Sequence, residues 1–276
     1  MKHLLYFSFL TVVFTACTNS STTANPKNEA SADTTSTQPL TEPTTVPTGL
    51  KLIPFKLSDK NCDLVGTEDF PLDEGWCNQR DVTGLRVSLT NSVVANKING
   101  LICKEITGKI GTFQSIKNFV AQIKNLSNEE GEMEFIQDEY TCSLIDSTNT
   151  YLSMGIGSYF YAMGGAHPNY GIQVLNVDLN TGQAITLDDI LSPGYLPSFK
   201  ALAKRKFIAQ NGNDTWWFSM GEQPFELSEV FSITRKGLTF HYQPYEMGPY
   251  AAGAPELVLS TADIAKWLKD NPYLKP

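Results

Sequence analysis

Residues 151–162 read YLSMGIGSYFYA, and residues 172–182 read IQVLNVDLNTG. The first run is rich in Tyr, Ser and Gly, as in a strand of an antiparallel sheet. The second alternates apolar and polar side chains at period two and ends in Asn180-Thr181-Gly182, a tight-turn signal. Upstream, Lys51–Leu57, Leu85–Leu89 and Tyr140–Ile145 read as further strands, and Asp59–Gln79 reads as a polar loop. Between them, Val93, Val94, Ile98, Leu101 and Ile102 recur at helical spacing over Ser92–Glu105, with Asn91 or Ser92 as cap. Phe113, Ile116, Phe119, Val120 and Ile123 do the same over Phe113–Leu126.

Downstream the pattern repeats in kind. Thr186 caps a short turn at Leu187–Leu191, and Tyr195–Gln210 is a helix. Phe231–Ile233 and Leu238–Tyr242 are strands around Arg235-Lys236-Gly237, and Leu257–Leu259 is another. A last helix, capped by Ser260 or Thr261, runs to Leu268. Strands and helices are interspersed without the rhythm of a doubly wound parallel sheet. The fold class is therefore α+β: antiparallel sheets with helices packed on one side, in two similar-sized subdomains.

The beginning of the chain is of another character. Leu4–Ala16 is nearly all apolar, and too short to cross a bilayer, which takes about 20 residues. It suits a secretory signal, and Phe14-Thr15-Ala16-Cys17 resembles a bacterial lipobox in which Cys17 carries the lipid. Residues 18–49 are rich in Thr, Ser, Asn, Ala and Pro, a flexible tether. The expected organisation is a signal peptide at 1–16, lipidated cysteine and tether at 17–49, and α+β domains at 50–170 and 171–276. The expected location is the outer membrane or cell surface of a Gram-negative bacterium, facing an extracytoplasmic compartment, with the lipid on Cys17 as the membrane contact. The formal net charge of -8 argues against a general nucleic-acid binder.

With Cys17 set aside, Cys62, Cys77, Cys103 and Cys142 remain, an even number that fits two disulfides in an exported protein. Three connectivities are open. Cys62–Cys77 with Cys103–Cys142 closes short local segments. Four thiolates without a Cys-x2–4-Cys pair make a poor zinc site, so no metal or cofactor is expected.

Few residues invite chemistry. His167 follows Gly164, Gly165 and Ala166 and precedes Pro168, so the segment reads as a rigid loop presenting an imidazole, whether as a structural turn or a binding surface. His241 has parity opposite to Phe240 and Tyr242, which points it towards solvent. Glu246 and Glu256 flank the loop containing Met247-Gly248-Pro249-Tyr250, a pair that would serve acid–base work on a glycan only if close in space. Trp216-Trp217-Phe218 cannot all point inward, which leaves an aromatic anchor or an interdomain contact. No Gly-x-Ser-x-Gly or His-Glu-x-x-His appears, and no catalytic residue is assigned.

Three segments together resemble a known family. They are Gly164-Gly165-Ala166-His167-Pro168, Val177–Gly182 with Leu187–Leu191, and Tyr245-Glu246-Met247-Gly248-Pro249-Tyr250-Ala251-Ala252-Gly253. They are similar to the extracytoplasmic domains related to the lysozyme-sensing anti-sigma factor RsiV, of the DUF4163/DUF3298 type, also found attached to polysaccharide deacetylases. The resemblance implies a DUF4163-like first domain and a DUF3298-like second one, and a surface that binds an envelope protein or glycan. Its sharpest form is lysozyme binding, which the acidic charge suits. The candidate binding residues are Gly164, Gly165, His167, Trp216, Trp217, Tyr245, Glu246 and Tyr250. The expected function is thus non-catalytic binding by an envelope lipoprotein. Two alternatives stand beside it: a polysaccharide-acting hydrolase joining His167, His241 and a carboxylate, and a structural or assembly protein of the envelope.

Overall fold

The computed structural model describes residues 49–62, 77–125, 136–162, 165–212 and 225–275. The signal-like start, Cys17, the tether, Gly164, Trp216 and Trp217 lie outside these residues. Five strands form one sheet in chain order: β1 (Lys51–Asn61), β2 (Asn78–Ser88), β3 (Ile136–Ser147), β4 (Tyr151–Ala162) and β5 (Asn169–Asp178). Three more, β6 (Phe231–Thr234), β7 (Gly237–His241) and β8 (Glu256–Ser260), form an antiparallel sheet. The fold is α+β.

One pairing departs from the all-antiparallel expectation: β2 and β3 run parallel. The cause lies in what connects them. The helices α1 (Ser92–Thr107) and α2 (Phe113–Ala121) fill the connection and return the chain to the end it left, as a parallel crossover requires. The Asn91 side chain accepts the backbone N–H of Val93 and Val94 to start α1. Gly108, in the left-handed region at φ 77°, ends it.

Both helices cover the same face of the large sheet. Val94, Ile98, Ile102 and Ile106 of α1 pack on Val82, Leu152, Met154, Ile156 and Leu175. In the small sheet, beyond the short helix α3 (Leu187–Ile190), Phe199, Ala203 and Phe207 of α4 (Leu196–Asn211) pack on Phe231, Ile233, Phe240 and Leu259. The two sheets meet where β6 rests on the helix-free face of the large sheet. Tyr151 of β4 joins the small sheet's core there. Asp146 accepts hydrogen bonds from Tyr151 Oη and from the backbone N–H of Arg235.

The turn after β5 forms as expected: Gly182 N–H donates to the Asp178 carbonyl, and Asp178 Oδ1 accepts from Asn180 and Thr181. Beyond it only a single bridge, Val177 to Ala184, continues the pairing. A boundary after residue 170 falls inside β5, which belongs wholly to the large sheet.

The cysteine expectation divides. Cys62 and Cys77 are bonded, one residue beyond the last β1–β2 pair, Asn61 with Asn78. In the chain-entropy picture a loop of that size is worth about 3 kcal/mol. Cys103 and Cys142 are free buried thiols, which corrects the second pairing. They occupy different parts of one core: Cys103 points off α1 towards Gly111 and Thr107, and Cys142 lies on β3 against Gly84. Burial pushes the Cys142 thiol up to about 11, so it is inert at neutral pH.

Candidate functional site

The loops before β5 and between β7 and β8 fold onto each other. Pro168 carries the junction. Its carbonyl accepts the Tyr250 hydroxyl at 2.7 Å and His167 Nδ1 at 2.9 Å. A carbonyl only accepts, so Nδ1 holds the proton. Nε2 is then left to accept from the Tyr245 hydroxyl at 2.7 Å when the ring is neutral. The imidazole stacks on Tyr250 with centroids 3.7 Å apart and planes 19° from parallel, and Tyr170 meets Tyr250 edge-on at 5.7 Å. The Tyr250 phenol is shifted up, first by desolvation, then by Tyr170, Tyr245 and Tyr159 around it.

Tyr245 is unusual. Among the described residues it is the non-glycine residue in the left-handed backbone region, at φ 69°. That conformation costs on the order of 1–3 kcal/mol for a bulky residue. Its side chain is nevertheless 51% exposed, so burial does not repay the strain. The turn around it is clamped locally, because Gln243 N–H donates to Glu246 Oε2 and Glu246 N–H to the Gln243 carbonyl. Gln243 in turn reaches β5, accepting from Ile172 N–H and donating to Ile172 O.

Of the candidate binding residues, the fold brings His167, Tyr245 and Tyr250 together, with exposed Gly165 at the loop's start. Glu246 is spent on its own turn. Tyr170, Tyr159 and Gln243 were not singled out by sequence. Strand parity places Tyr159 and Tyr170 on one face, but their nearness to Tyr250 depends on contacts about 80 residues away in the chain.

His241 lies elsewhere and is 7% exposed, which corrects the solvent-facing expectation. Its side chain does lie opposite those of Phe240 and Tyr242, but that face of the small sheet is closed by its neighbours. Nδ1 donates to Glu256 Oε1 at 2.8 Å, and Nε2 lies 3.0 Å from Ser232 Oγ. The hydrogen bond from His241 holds the Glu256 carboxyl below its usual range. Ser232, His241 and Glu256 thus stand in the order of a nucleophile, base and orienting acid. The exposure runs the wrong way for that use: Ser232 is 1% exposed, whereas the Glu256 side chain is 56% exposed. The acid-pair expectation is not met by shared work: Glu246 clamps a turn and Glu256 holds His241. Among the described residues, no group of three His, Cys, Asp or Glu is placed to hold a metal ion. No described helix is long and apolar enough to cross a membrane.

Residues 188–262, which include α4, the small sheet and the Tyr245–Tyr250 loop, match the family described as Protein of unknown function (DUF3298). Over that stretch the chain is similar to the DUF3298 family. A solved DUF3298 protein from Bacteroides fragilis NCTC 9343 superposes with a TM-score of 0.66 at 20% identity, covering 82% of this chain and 96% of that one. Another, from Pseudomonas aeruginosa PAO1, gives 0.61 at 17% identity, covering 80% and 95%. At such identity the likeness is one of fold. A curated relative, Esterase Rv3036c of Mycobacterium tuberculosis, is 32% identical over 99 residues. The match takes in 35% of this chain and 43% of that protein, so the chain spans less than half the length of this curated relative. In this chain the His167 loop comes from the large sheet and the Tyr245–Tyr250 loop from the small one.

Proposed function

We propose that the protein is an envelope-anchored binding protein whose His167–Tyr170–Tyr245–Tyr250 platform takes a cell-wall glycan. The observation that carries this is Tyr245, held by its turn in a strained backbone conformation and yet left half in water. Rigid exposed aromatic rings give large contact area at low entropy cost, and sugar rings present apolar faces that stack on them. The lipid on Cys17 and the tether at 17–49 would set the platform off a membrane facing an extracytoplasmic space.

The test is a titration of the protein with peptidoglycan fragments and, separately, with lysozyme, at low and physiological salt. Saturable glycan binding is expected, persisting in salt, and Tyr250→Ala is expected to weaken it at least about tenfold, the loss of one stacked ring. Binding to lysozyme alone would replace the glycan with a protein partner.

A second reading has one observation behind it: the Ser232–His241–Glu256 chain, beside a relative named as an esterase. It requires an ester carbonyl to reach Ser232 Oγ, which the enclosing strands prevent in this conformation. A fluorophosphonate probe is therefore expected to leave Ser232 unmodified. A mass adduct on Ser232, absent from Ser232→Ala, would turn the reading to a hydrolase.

A further inference from the structure

The platform continues into the open face of the large sheet. Cross-strand partners share a face, and the register aligns Tyr170, Tyr159, Glu139, Asp81 and Ser58 in one ladder across all five strands. A second ladder beside it runs Tyr161, Gln137, Gln79 and Lys60. The helices lie on the other face, against Leu152, Met154 and Ile156, whose parity is opposite to that of Tyr159. None of the ladder residues is buried: Ser58, Lys60 and Tyr170 are exposed and the others half-buried. The ladders are tied to each other, since Gln79 Nε2 donates to Asp81 Oδ2 at 2.6 Å and Gln137 Nε2 to Glu139 Oε1 at 2.7 Å. They are tied to the platform through Tyr170, the cross-strand partner of Tyr159, which meets the Tyr250 ring edge-on.

The chemistry of this face changes along its length. Aromatic rings lie at the β4–β5 end and carboxylate–amide pairs in the middle. An amide clamped to a carboxylate leaves free lone pairs on the acid and a free N–H on the amide, the partners a sugar hydroxyl uses. Two carboxylates at the centre repel a polyanion, and the lysine at the β1 edge does not offset them. Protein–protein interfaces are depleted of charged residues at their centre, where this face places Glu139 and Asp81. From Tyr170 on β5 to Asp81 on β2, three inter-strand spacings of about 4.8 Å span about 14 Å, room for more than one sugar unit laid across the strands.

We infer that the open face of the five-stranded sheet, from Tyr170 to Asp81, is an extended subsite for a linear uncharged glycan whose end rests on the His167–Tyr250 platform. This rests on the glycan reading of the platform and adds to it the ligand's length, direction and charge. The carboxylates of Glu139 and Asp81 accept from sugar hydroxyls, and Tyr159 and Tyr170 stack on ring faces.

The test is a length series of β-1,4-linked N-acetylglucosamine oligomers titrated against the full chain, with Glu139→Gln and Tyr250→Ala alongside. Affinity is expected to rise with length until the chain spans the sheet. Glu139→Gln, which keeps shape and exchanges charge-assisted hydrogen bonds for weaker ones, is expected to lose about tenfold for the long oligomers and little for the shortest. Short oligomers binding with no gain from length would overturn the sheet subsite and leave the platform standing. No binding at any length, or binding only to a polyuronate run in parallel, would overturn the sheet subsite, and the platform reading falls with it if peptidoglycan fragments also fail to bind. Thermal melts of each variant separate lost binding from lost folding.

Discussion

Asn176→Leu is expected to lower the free energy of unfolding by about 3 kcal/mol or more, read from urea or thermal denaturation. Asn176 sits on β5, 3% exposed, where the small sheet meets the large one. Its amide imitates a peptide group. Oδ1 accepts the backbone N–H of Ile233 at 3.0 Å and the Ser153 hydroxyl at 2.7 Å, and Nδ2 donates to the Phe231 carbonyl at 2.7 Å. One side chain thereby pairs with the edge of β6 as a neighbouring strand would. Leucine is close in size, so the change leaves little cavity, and what it removes is the pairing. Three buried polar groups lose their partner, at about 1–3 kcal/mol for each one left unsatisfied. A loss under about 1 kcal/mol would mean that apolar contact around Tyr151 carries the joint and the amide merely fits within it.

Gly237→Ala is expected to be as damaging, by about 3–5 kcal/mol, or to abolish folding of the small sheet. Gly237 begins β7 at φ 143°, a conformation L side chains rarely adopt. A Cβ there would lie 2.0 Å from the Leu259 carbonyl oxygen and 2.9 Å from the Ser260 backbone. These are main-chain atoms of the paired strand β8, so no side-chain rotation makes room. Gly108→Ala is the control: also at positive φ, at φ 77°, but with nothing within 4 Å of the added carbon. It should cost only about 1 kcal/mol, the conformational part alone. If both variants melt together, the steric argument at Gly237 fails.

Much of this protein was legible from short-range pattern. Period two in Ile172–Leu179 and the helical spacing of Val94, Ile98 and Ile102 each emerged as the element they predict, because such periodicity is set by neighbours two to four residues apart. The Asn91 cap and the Ser260 cap are local for the same reason. The segments around His167 and Tyr250 could be singled out by their composition. The bond of Cys62 to Cys77 followed from closeness along the chain.

What the tertiary structure decided depends on residues far apart in the chain. The hydrogen bond between His167 and Tyr245 joins positions 78 apart, and that between Pro168 and Tyr250 joins positions 82 apart. Parity alone told which side chains share a face of a strand. It did not tell that Tyr159 stands beside Glu139, or Glu139 beside Asp81, because register is a property of pairs of strands. The same limit explains Cys103 and Cys142. An even cysteine count speaks of the compartment, whereas a bond needs two sulfurs to point at each other, and here one faces Gly111 and the other Gly84. It explains His241 as well, whose side of the strand was readable and whose burial by Ser232 and Glu256 was not. Sequence by itself determined which elements form and which faces they offer; the packing of those faces, a sum of long-range contacts, decided where the rings and carboxylates meet.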